Sequence, residues 1–207
     1  VCSSHGLDCR HMQHYESGFE EMTLQRAQDF CTQTAALEKD NGDDDYTDIR
    51  IVYMHNKGSF TDTSVNKFWR RHLTMAVTSQ HCLRPANDTC NVCGLHFWPM
   101  WIPFFPGNFW AAKCSYVKKL VPARNFSSVT ASLKDRVTEL IKQDKLSSEL
   151  FPPDSKFPAE ADRYGLDRFA AEHWIGSHPQ LVPCDLSNAA GMRYWHSQDR
   201  DQSKLNF

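Results

Sequence analysis

Apolar side chains recur every three or four residues in four stretches of the chain, which is the spacing of amphipathic helices. In the first stretch, Ser17 and Glu20 form a capping box that predicts where the helix begins. A second helix is predicted to begin near Thr63. A third is predicted to begin with a serine cap at 127–128, and a fourth extends over 159–174.

Between these helices, short apolar runs with β-branched or aromatic residues predict strands. The run at 48–54 is nearly continuous apart from Arg50, as in a central strand that is covered on both faces. Further strands are predicted within 90–98 and 107–112, and a short helix over 115–120. The order helix, strand, loop, helix favours the α/β class with parallel strands.

The composition favours one globular domain without a strongly charged surface. The chain has 207 residues, of which 41% are hydrophobic, enough for one sizeable core. We predict an α/β domain over 1–185 and an extended polar tail over 186–207. A net charge of −2 gives no field that would attract nucleic acid, so a nucleic-acid partner is not expected. Without a run of about 18 apolar residues, no transmembrane segment is expected in this chain.

Eight cysteines, scattered among polar and proline-rich segments, indicate a disulfide framework. They are Cys2, Cys9, Cys31, Cys82, Cys90, Cys93, Cys114 and Cys184. A zinc site at Cys82, Cys90 and Cys93 is the alternative, but their spacing lacks the two C-x-x-C pairs of a zinc ribbon, so we prefer disulfides and predict no metal site. Two sequons make Asn87 and Asn125 candidates for N-glycosylation. Cysteines and sequons together favour the lumen of the secretory pathway, in the ER or Golgi, or the outside of the cell.

A polar loop follows the first predicted strand. It reads HNKGS and contains His55, Lys57, Gly58 and Ser59. Ligands of open α/β sheets bind beyond the carboxyl ends of strands, and Lys57 carries a positive charge suited to a diphosphate. The next helix begins nearby, which also favours an anion, and it carries Arg70 beside its apolar stripe. The alternative is an ordinary turn in which Gly58 takes a positive φ.

The aromatic segment FFPGNFWAA, residues 104–112, is suited either to a sugar or to the core. Trp110 offers a face for stacking on a sugar, and the Asn108 side chain both donates and accepts hydrogen bonds. Gly107 permits an unusual backbone or the close approach of a ligand. The alternative is an aromatic core strand.

Titratable side chains are concentrated in EHWIGSHP, residues 172–179. Glu172 and His173 are candidates for a general base or for ligands of a sugar hydroxyl, and His178 follows them. The alternative is a helix end with a satisfied histidine and a packed Trp174.

Several blocks of the sequence resemble small glycosyltransferase-like domains. The blocks are YMHNKGSF with FWRRHLTMAV, CLRPANDTCNVCGLHFWP, PGNFWAAKCSYVKKL and EHWIGSHPQLVPCDL, and they extend from about Cys9 to Asp185. Such domains occur in bacterial polysaccharide loci and, in a cysteine-rich version, in diatoms and other algae. The resemblance implies a GT-A-like fold of the nucleotide-diphospho-sugar transferase type. This is a mixed sheet with flanking helices, braced by disulfides, and we expect its first strand to be missing here.

The resemblance also implies transfer of a sugar from a nucleotide-sugar to a glycan or protein acceptor, with Mn²⁺ or Mg²⁺ as the cation that would accompany the donor. The residues expected at the donor phosphates are His55, Lys57, Gly58, Ser59 and Arg70. Those expected to line the sugar or acceptor cleft are Gly107, Asn108, Trp110 and His178. The candidate catalytic residues are His55, Glu172 and His173.

Two departures from the family pattern favour other functions. The strand that usually binds the nucleotide is not found upstream, and WPMWIPFF, residues 98–105, replaces a histidine-bearing proline-rich segment. The fold could therefore serve as a non-catalytic structural or assembly subunit, with a protein partner on the aromatic segment Phe97–Phe105. A carbohydrate-binding module is a weaker alternative. Exposure of Trp98, Trp101 and Phe104 would distinguish a buried interface from an open cleft.

Overall fold

Helices and short strands are interspersed along the part of the chain that the structure describes. The computed structural model describes residues 20–41, 49–55, 63–85, 89–99, 102–145 and 167–188. The helices are α1 (Glu20–Asn41), α2 (Ser64–Val77), α3 (Gln80–Leu83), α4 (Cys114–Val117) and α5 (Ala123–Lys142), with 3-10 helices at Asp167–Gly176 and Leu186–Asn188. The strands are β1 (Arg50–Met54), β2 (Val92–Gly94), β3 (Phe109–Lys113) and β4 (Pro183–Asp185). No helix within these residues is long and apolar enough to cross a membrane.

The sheet is mixed, with the strand order β1-β3-β2-β4. β3 runs antiparallel to both of its neighbours, whereas β2 and β4 are parallel. β1, β2 and β4 therefore point in one direction, and β3 lies between β1 and β2. The predicted α/β class with a mixed sheet is confirmed. The expectation that β1 is a central strand beside parallel neighbours is wrong, since β1 forms an edge of the described sheet and its neighbour β3 comes two strands later in the chain.

Helices cover both faces of this sheet. On one face, which we call the α1 face, Trp110 of β3 packs with residues of α1, α4, α5 and the 3-10 helix Asp167–Gly176. On the opposite face, the α2 face, Phe109 packs with residues of α2 and α3. β1 follows the same alternation, since Tyr53 contacts the α1 face and Val52 the α2 face. The prediction that this strand is covered on both faces is therefore confirmed.

The predicted starts of two helices can be compared directly with the structure. α2 begins as predicted, because the side chain of Thr63 caps it and accepts a hydrogen bond from the Asn66 N–H. α5 begins at Ala123, upstream of the serine cap predicted at 127–128. Its first N–H groups are satisfied by side chains of α1 instead, as the Ala123 N–H donates to Gln28 Oε1 over 3.3 Å.

The carboxyl-terminal predictions lie only partly within the described residues. The described part of the helix predicted over 159–174 is a 3-10 helix rather than an α-helix. It ends at Gly176, where a Cβ atom would overlap the carbonyl oxygen of Pro103. The predicted tail begins with Leu186, which is buried, and its remainder beyond residue 188 lies outside the described residues.

Three disulfides join elements of the described structure, as the prediction of a disulfide framework requires. They are Cys31–Cys114, Cys82–Cys93 and Cys90–Cys184. The three cysteines considered for a zinc site are all in disulfides, so the preference for disulfides is confirmed there. Cys2 and Cys9 lie outside the described residues.

Candidate functional site

Several of the segments that the sequence singled out meet at one end of the sheet, where β1, β2 and β4 terminate. Met54 at the end of β1 pairs with Phe109 at the start of β3, and Gly94 at the end of β2 pairs with Asp185 at the end of β4. The carboxyl ends of three strands therefore lie at the same edge as the amino end of β3. Ligands of α/β sheets usually bind at such an edge. His55 and Asn108, which flank the paired Met54 and Phe109, lie there side by side.

The PGN sequence builds a tight turn immediately before β3. The Asn108 N–H donates to the Phe105 carbonyl oxygen over 3.1 Å, and Gly107 has a φ of 80°. Pro106 in the second position and a left-handed Gly107 in the third are the residues that a type II turn favours. Asn108 itself has a φ of 57°, which few residues other than glycine and asparagine adopt readily. The turn thus explains the unusual backbone predicted at Gly107.

Asn108 connects three elements through its side-chain amide, although it is completely buried. Its Nδ2 group donates to Glu20 Oε1 over 2.8 Å and to the Ala171 carbonyl oxygen over 3.3 Å. Its Oδ1 atom accepts from Trp110 Nε1 over 2.6 Å. The Trp110 ring is also completely buried and stacks on Tyr53, with 5.0 Å between ring centroids. The aromatic-core interpretation therefore describes Asn108 and Trp110, and neither lines an open cleft in this structure.

Glu20 lies at the centre of a cluster that it forms with Tyr53, His55, Asn108 and Trp110. Its side chain is 16% exposed. Besides Asn108, it accepts a hydrogen bond from the Tyr53 hydroxyl over 3.2 Å, and it lies 3.6 Å from His55 Nδ1. Burial raises the pKa of Glu20 above its ordinary value, and the charge of Glu172 adds to that effect. His55 and the two hydrogen bonds oppose it.

Sequence reasoning missed Glu20 as a site residue. It identified this glutamate only as part of a capping box, and the other half of that box, Ser17, lies outside the described residues. Glu20 is 88 residues from Asn108 and 33 from Tyr53 along the chain. Because no local pattern reports contacts at such separations, only the fold could bring them together.

His55 follows β1 and connects the cluster to the surface. About a third of its side chain, 34%, is exposed, while its Nδ1 atom is buried and makes no hydrogen bond to the described residues. Its Nδ1 atom lies 3.6 Å from Glu20 Oε1, so the two side chains form a carboxylate–imidazole pair. The predicted partners Lys57, Gly58 and Ser59 belong to residues 56–62, which lie outside the described residues.

Glu172 brings a second carboxylate to the back of the PGN turn. Its side chain is buried, and Oε2 accepts a hydrogen bond from the Gly107 N–H over 2.9 Å. It is also close enough to Glu20 to disfavour ionisation there. The structure therefore brings together His55, Gly107 and Glu172, three of the residues that the sequence predicted, although they come from three separate segments.

His173 supports the neighbouring loop rather than the carboxylate pair. It is buried, its Nδ1 atom lies 2.6 Å from the Ile102 carbonyl oxygen, and its ring lies 4.2 Å from that of Phe104. Burial lowers the pKa of His173, although this hydrogen bond and Glu172 oppose the effect, so the neutral imidazole is favoured. The interpretation of a satisfied histidine therefore fits His173, and a catalytic role for it loses support.

Two further predicted residues lie elsewhere in the fold. Arg70 is on α2, which covers the opposite face of the sheet from α1. His178 lies against Tyr116 of α4, at the far end of β3 from Asn108. The sequence could not reveal that Arg70 and His178 lie away from Asn108, because their positions depend on how distant elements pack in the fold.

The aromatic segment is partly exposed. Trp98 pairs with Phe104 in an isolated antiparallel bridge, and 53% of Trp98 is exposed. Phe104 is half-buried, and Trp101 lies outside the described residues. Within the described part of the segment, the strand is therefore not fully buried.

A divalent cation was expected only as a companion of a nucleotide-sugar. Within the described ranges, no group of three or more His, Cys, Asp or Glu side chains is arranged to hold a metal ion. The ionisable side chains that the structure places in this cluster are Glu20, His55 and Glu172, which can exchange protons and form hydrogen bonds.

Comparison with known proteins identifies a family but no characterised relative. No curated protein and no solved structure matches the chain. A family model described as a domain of unknown function, DUF8361, matches residues 1–207, so the chain belongs to that family.

Proposed function

We propose that this domain transfers a sugar from a nucleotide-sugar to a hydroxyl of a glycan or protein acceptor. The observation that carries the proposal is the carboxylate–imidazole pair at the edge of the sheet, with His55 Nδ1 3.6 Å from Glu20 Oε1. An imidazole that is partly exposed and backed by a buried carboxylate is suited to accept a proton from a hydroxyl. The resemblance in the HNKGS and PGNFW segments supports the choice of a sugar as substrate.

In the proposed reaction, the acceptor oxygen bonds to the anomeric carbon of the donor sugar. The bond from that carbon to the diphosphate breaks, and the nucleoside diphosphate leaves with the bonding electrons. His55 accepts the hydroxyl proton, and Glu20 stabilises the imidazolium that results. Lys57, two residues further on, supplies a positive charge for the departing diphosphate. Glu172 contributes by holding the PGN turn, through its hydrogen bond from Gly107.

The proposed compartment is the lumen of the secretory pathway or the outside of the cell. Three disulfides within the described structure support this location, because thiols of cytosolic proteins are normally kept reduced. A glycosyl-transfer function also fits a compartment in which glycans are built.

Calorimetry against a panel of nucleotide-sugars tests the proposal. The protein, secreted by a eukaryotic host so that its disulfides form, should release or absorb heat with at least one donor. His55→Ala and Lys57→Ala should abolish that heat. His81→Ala, which removes an exposed histidine on α3, is the matched control and should bind like the parent protein. If no donor gives heat with the parent protein, the proposal is wrong.

A non-catalytic structural or assembly subunit is the second candidate. The specific observation in its favour is that Asn108 and Trp110, expected to contact a sugar, are completely buried, whereas Trp98 is 53% exposed. An exposed tryptophan is typical of a surface that contacts another protein. Under this alternative no nucleotide-sugar binds, and Trp98→Ala weakens association with a partner without changing the fold.

A further inference from the structure

A polar groove runs between α1 and the start of α5, on the part of α1 beyond Glu20. Its volume is about 470 Å³, within the range of about 300–1,000 Å³ that small-molecule sites occupy. Hydrogen-bonding side chains line it, including Gln25, Asp29 and Lys118. The buried Leu120 also borders the groove. Asn125, the asparagine of the second sequon, also lines this groove.

The two polar residues of the sequon at Asn125 are both accessible in the folded protein, as a glycan acceptor must be. Asn125 lies in the first turn of α5, and its side chain is exposed. Ser127, the hydroxyl residue of the sequon, is exposed as well. Phe126, between them, is buried in the core of the α1 face. The helix therefore directs the acceptor toward solvent while the middle residue is anchored.

We propose that Asn125 carries an N-linked glycan and that the first N-acetylglucosamine lies in this groove. The sugar would come from an oligosaccharide linked to a lipid diphosphate. In that step a bond forms between Asn125 Nδ2 and the anomeric carbon, the bond from this carbon to the lipid diphosphate breaks, and Nδ2 loses one proton. The proposal goes beyond glycosyl transfer by the domain and does not depend on it.

The lining of the groove matches the chemistry of an N-acetylated sugar. Gln25 is held in place, since Nε2 donates to Asp29 Oδ1 over 2.8 Å and Oε1 accepts from the Arg124 N–H over 3.1 Å. The ammonium of Lys118 offers hydrogen-bond donors for sugar hydroxyls. The groove thus places a few polar groups beside the side chain of Asn125, as small-ligand sites do.

Site occupancy is tested by mass spectrometry of the full chain secreted from a eukaryotic host. The parent protein should carry a glycan on the peptide that contains Asn125. Asn125→Gln and Ser127→Ala should both lose that glycan, and Ser127→Ala does so while keeping the asparagine. Asn87→Gln, which breaks the other sequon, should retain it. An unmodified Asn125 in secreted parent protein overturns the proposal.

The role of the groove is tested by trimming the glycan. In the Asn87→Gln background, an endoglycosidase that leaves one N-acetylglucosamine is compared with an amidase that removes the whole glycan and converts Asn125 to aspartate. The single-sugar form should unfold at a temperature about 2–4 °C higher, and the Asn125→Asp variant should melt with the sugar-free form. Lys118→Ala should reduce the difference. Equal melting temperatures of the two trimmed forms would show that the glycan lies outside the groove.

Discussion

At the scale of single residues, Glu20 determines the electrostatics of the candidate site. One carboxylate oxygen accepts hydrogen bonds from Asn108 and Tyr53 and faces the imidazole of His55. Burial and Glu172 favour the protonated form, while His55 and the hydrogen bonds favour the ionised form. Since burial prevails, the pKa of Glu20 in the folded chain lies above its ordinary value of 4.5. The proton of Glu20 is therefore held more tightly by the folded chain than by the unfolded one.

The raised pKa of Glu20 gives a prediction for the Glu20→Gln variant. A raised folded pKa means that the contribution of Glu20 to stability is fully present below pH 4.5 and is lost as the pH rises through the folded pKa. Glutamine keeps the acceptor for Asn108 but cannot ionise. The variant should therefore be more stable than the parent protein at pH 7, and the difference should diminish toward pH 4. Sugar transfer should decrease in the variant, since the charge beside His55 is lost.

The measurement is thermal unfolding of both proteins between pH 4 and pH 8. Glu21→Gln, on the next residue of α1, controls for the loss of one negative charge near the start of the helix. A difference between parent and Glu20→Gln that stays constant over this range would contradict the raised pKa.

The sequence identified the site residues whose local pattern points to chemistry and missed Glu20, whose local pattern is that of a helix cap. His55 follows a strand, Gly107 belongs to a Pro-Gly turn, and Glu172 stands in a cluster of titratable residues, so each could be named in advance. The burial of Asn108 and Trp110 could not be predicted, because polar and aromatic residues beside a turn fit an open cleft and a closed cluster equally well. Asn108 and Trp110 are buried because their partners come from other elements of the fold. Glu20 of α1 accepts a hydrogen bond from Asn108, and Tyr53 of β1 stacks on Trp110.

At the scale of elements, α1 and α5 are joined by hydrogen bonds that replace a conventional helix cap. Pro122, the N-cap residue of α5, offers no side-chain acceptor. Instead, Gln28 Oε1 accepts from the Ala123 N–H, and Gln28 Nε2 donates to the Leu120 carbonyl oxygen over 2.8 Å. Leu120 and Ala123 are both buried, so water cannot easily replace Gln28 as the partner of their backbone groups.

We expect Gln28→Ala to lower the free energy of unfolding by about 1–3 kcal/mol, the cost of leaving buried backbone groups without partners. Gln33→Ala is the matched control, because Gln33 is the same residue type on the same helix and is exposed. Denaturant unfolding under non-reducing conditions measures both. Equal stabilities of the two variants would show that the α5 amino terminus is satisfied in another way.

The helices and the sheet differ in how much of them the sequence predicted. Periodicity located α2 and its cap at Thr63, because a helix is held together by contacts within one segment. Apolar runs located most of β3 within 107–112, and the order of the elements indicated the α/β class, although with parallel strands. Sequence reasoning could not place β3 between β1 and β2, since strand order depends on pairing between distant segments. It also missed the start of α5, for which the acceptors lie on α1.

At the scale of the whole molecule, one disulfide fixes the helix that carries Glu20 to the strand that follows Asn108. Cys31 lies on α1, and Cys114 follows directly after β3. The bond closes a span of 83 residues, so the chain-entropy treatment assigns it about 4–5 kcal/mol. Cys82–Cys93 closes a span of only 11 residues on the α2 face and is assigned about 3 kcal/mol. The longer link therefore constrains both the unfolded chain and the position of the candidate site.

Replacing each pair by alanine separates these two effects. Cys31→Ala with Cys114→Ala should lower the free energy of unfolding by about 1–2 kcal/mol more than Cys82→Ala with Cys93→Ala. Under conditions where both variants remain folded, only the first should weaken nucleotide-sugar binding, because only it loosens α1 and therefore Glu20 relative to Asn108. Denaturant unfolding and calorimetry on the same preparations provide the two measurements. If both variants bind a donor equally well, the position of α1 is maintained by its packing against α4 and α5 and not by the disulfide.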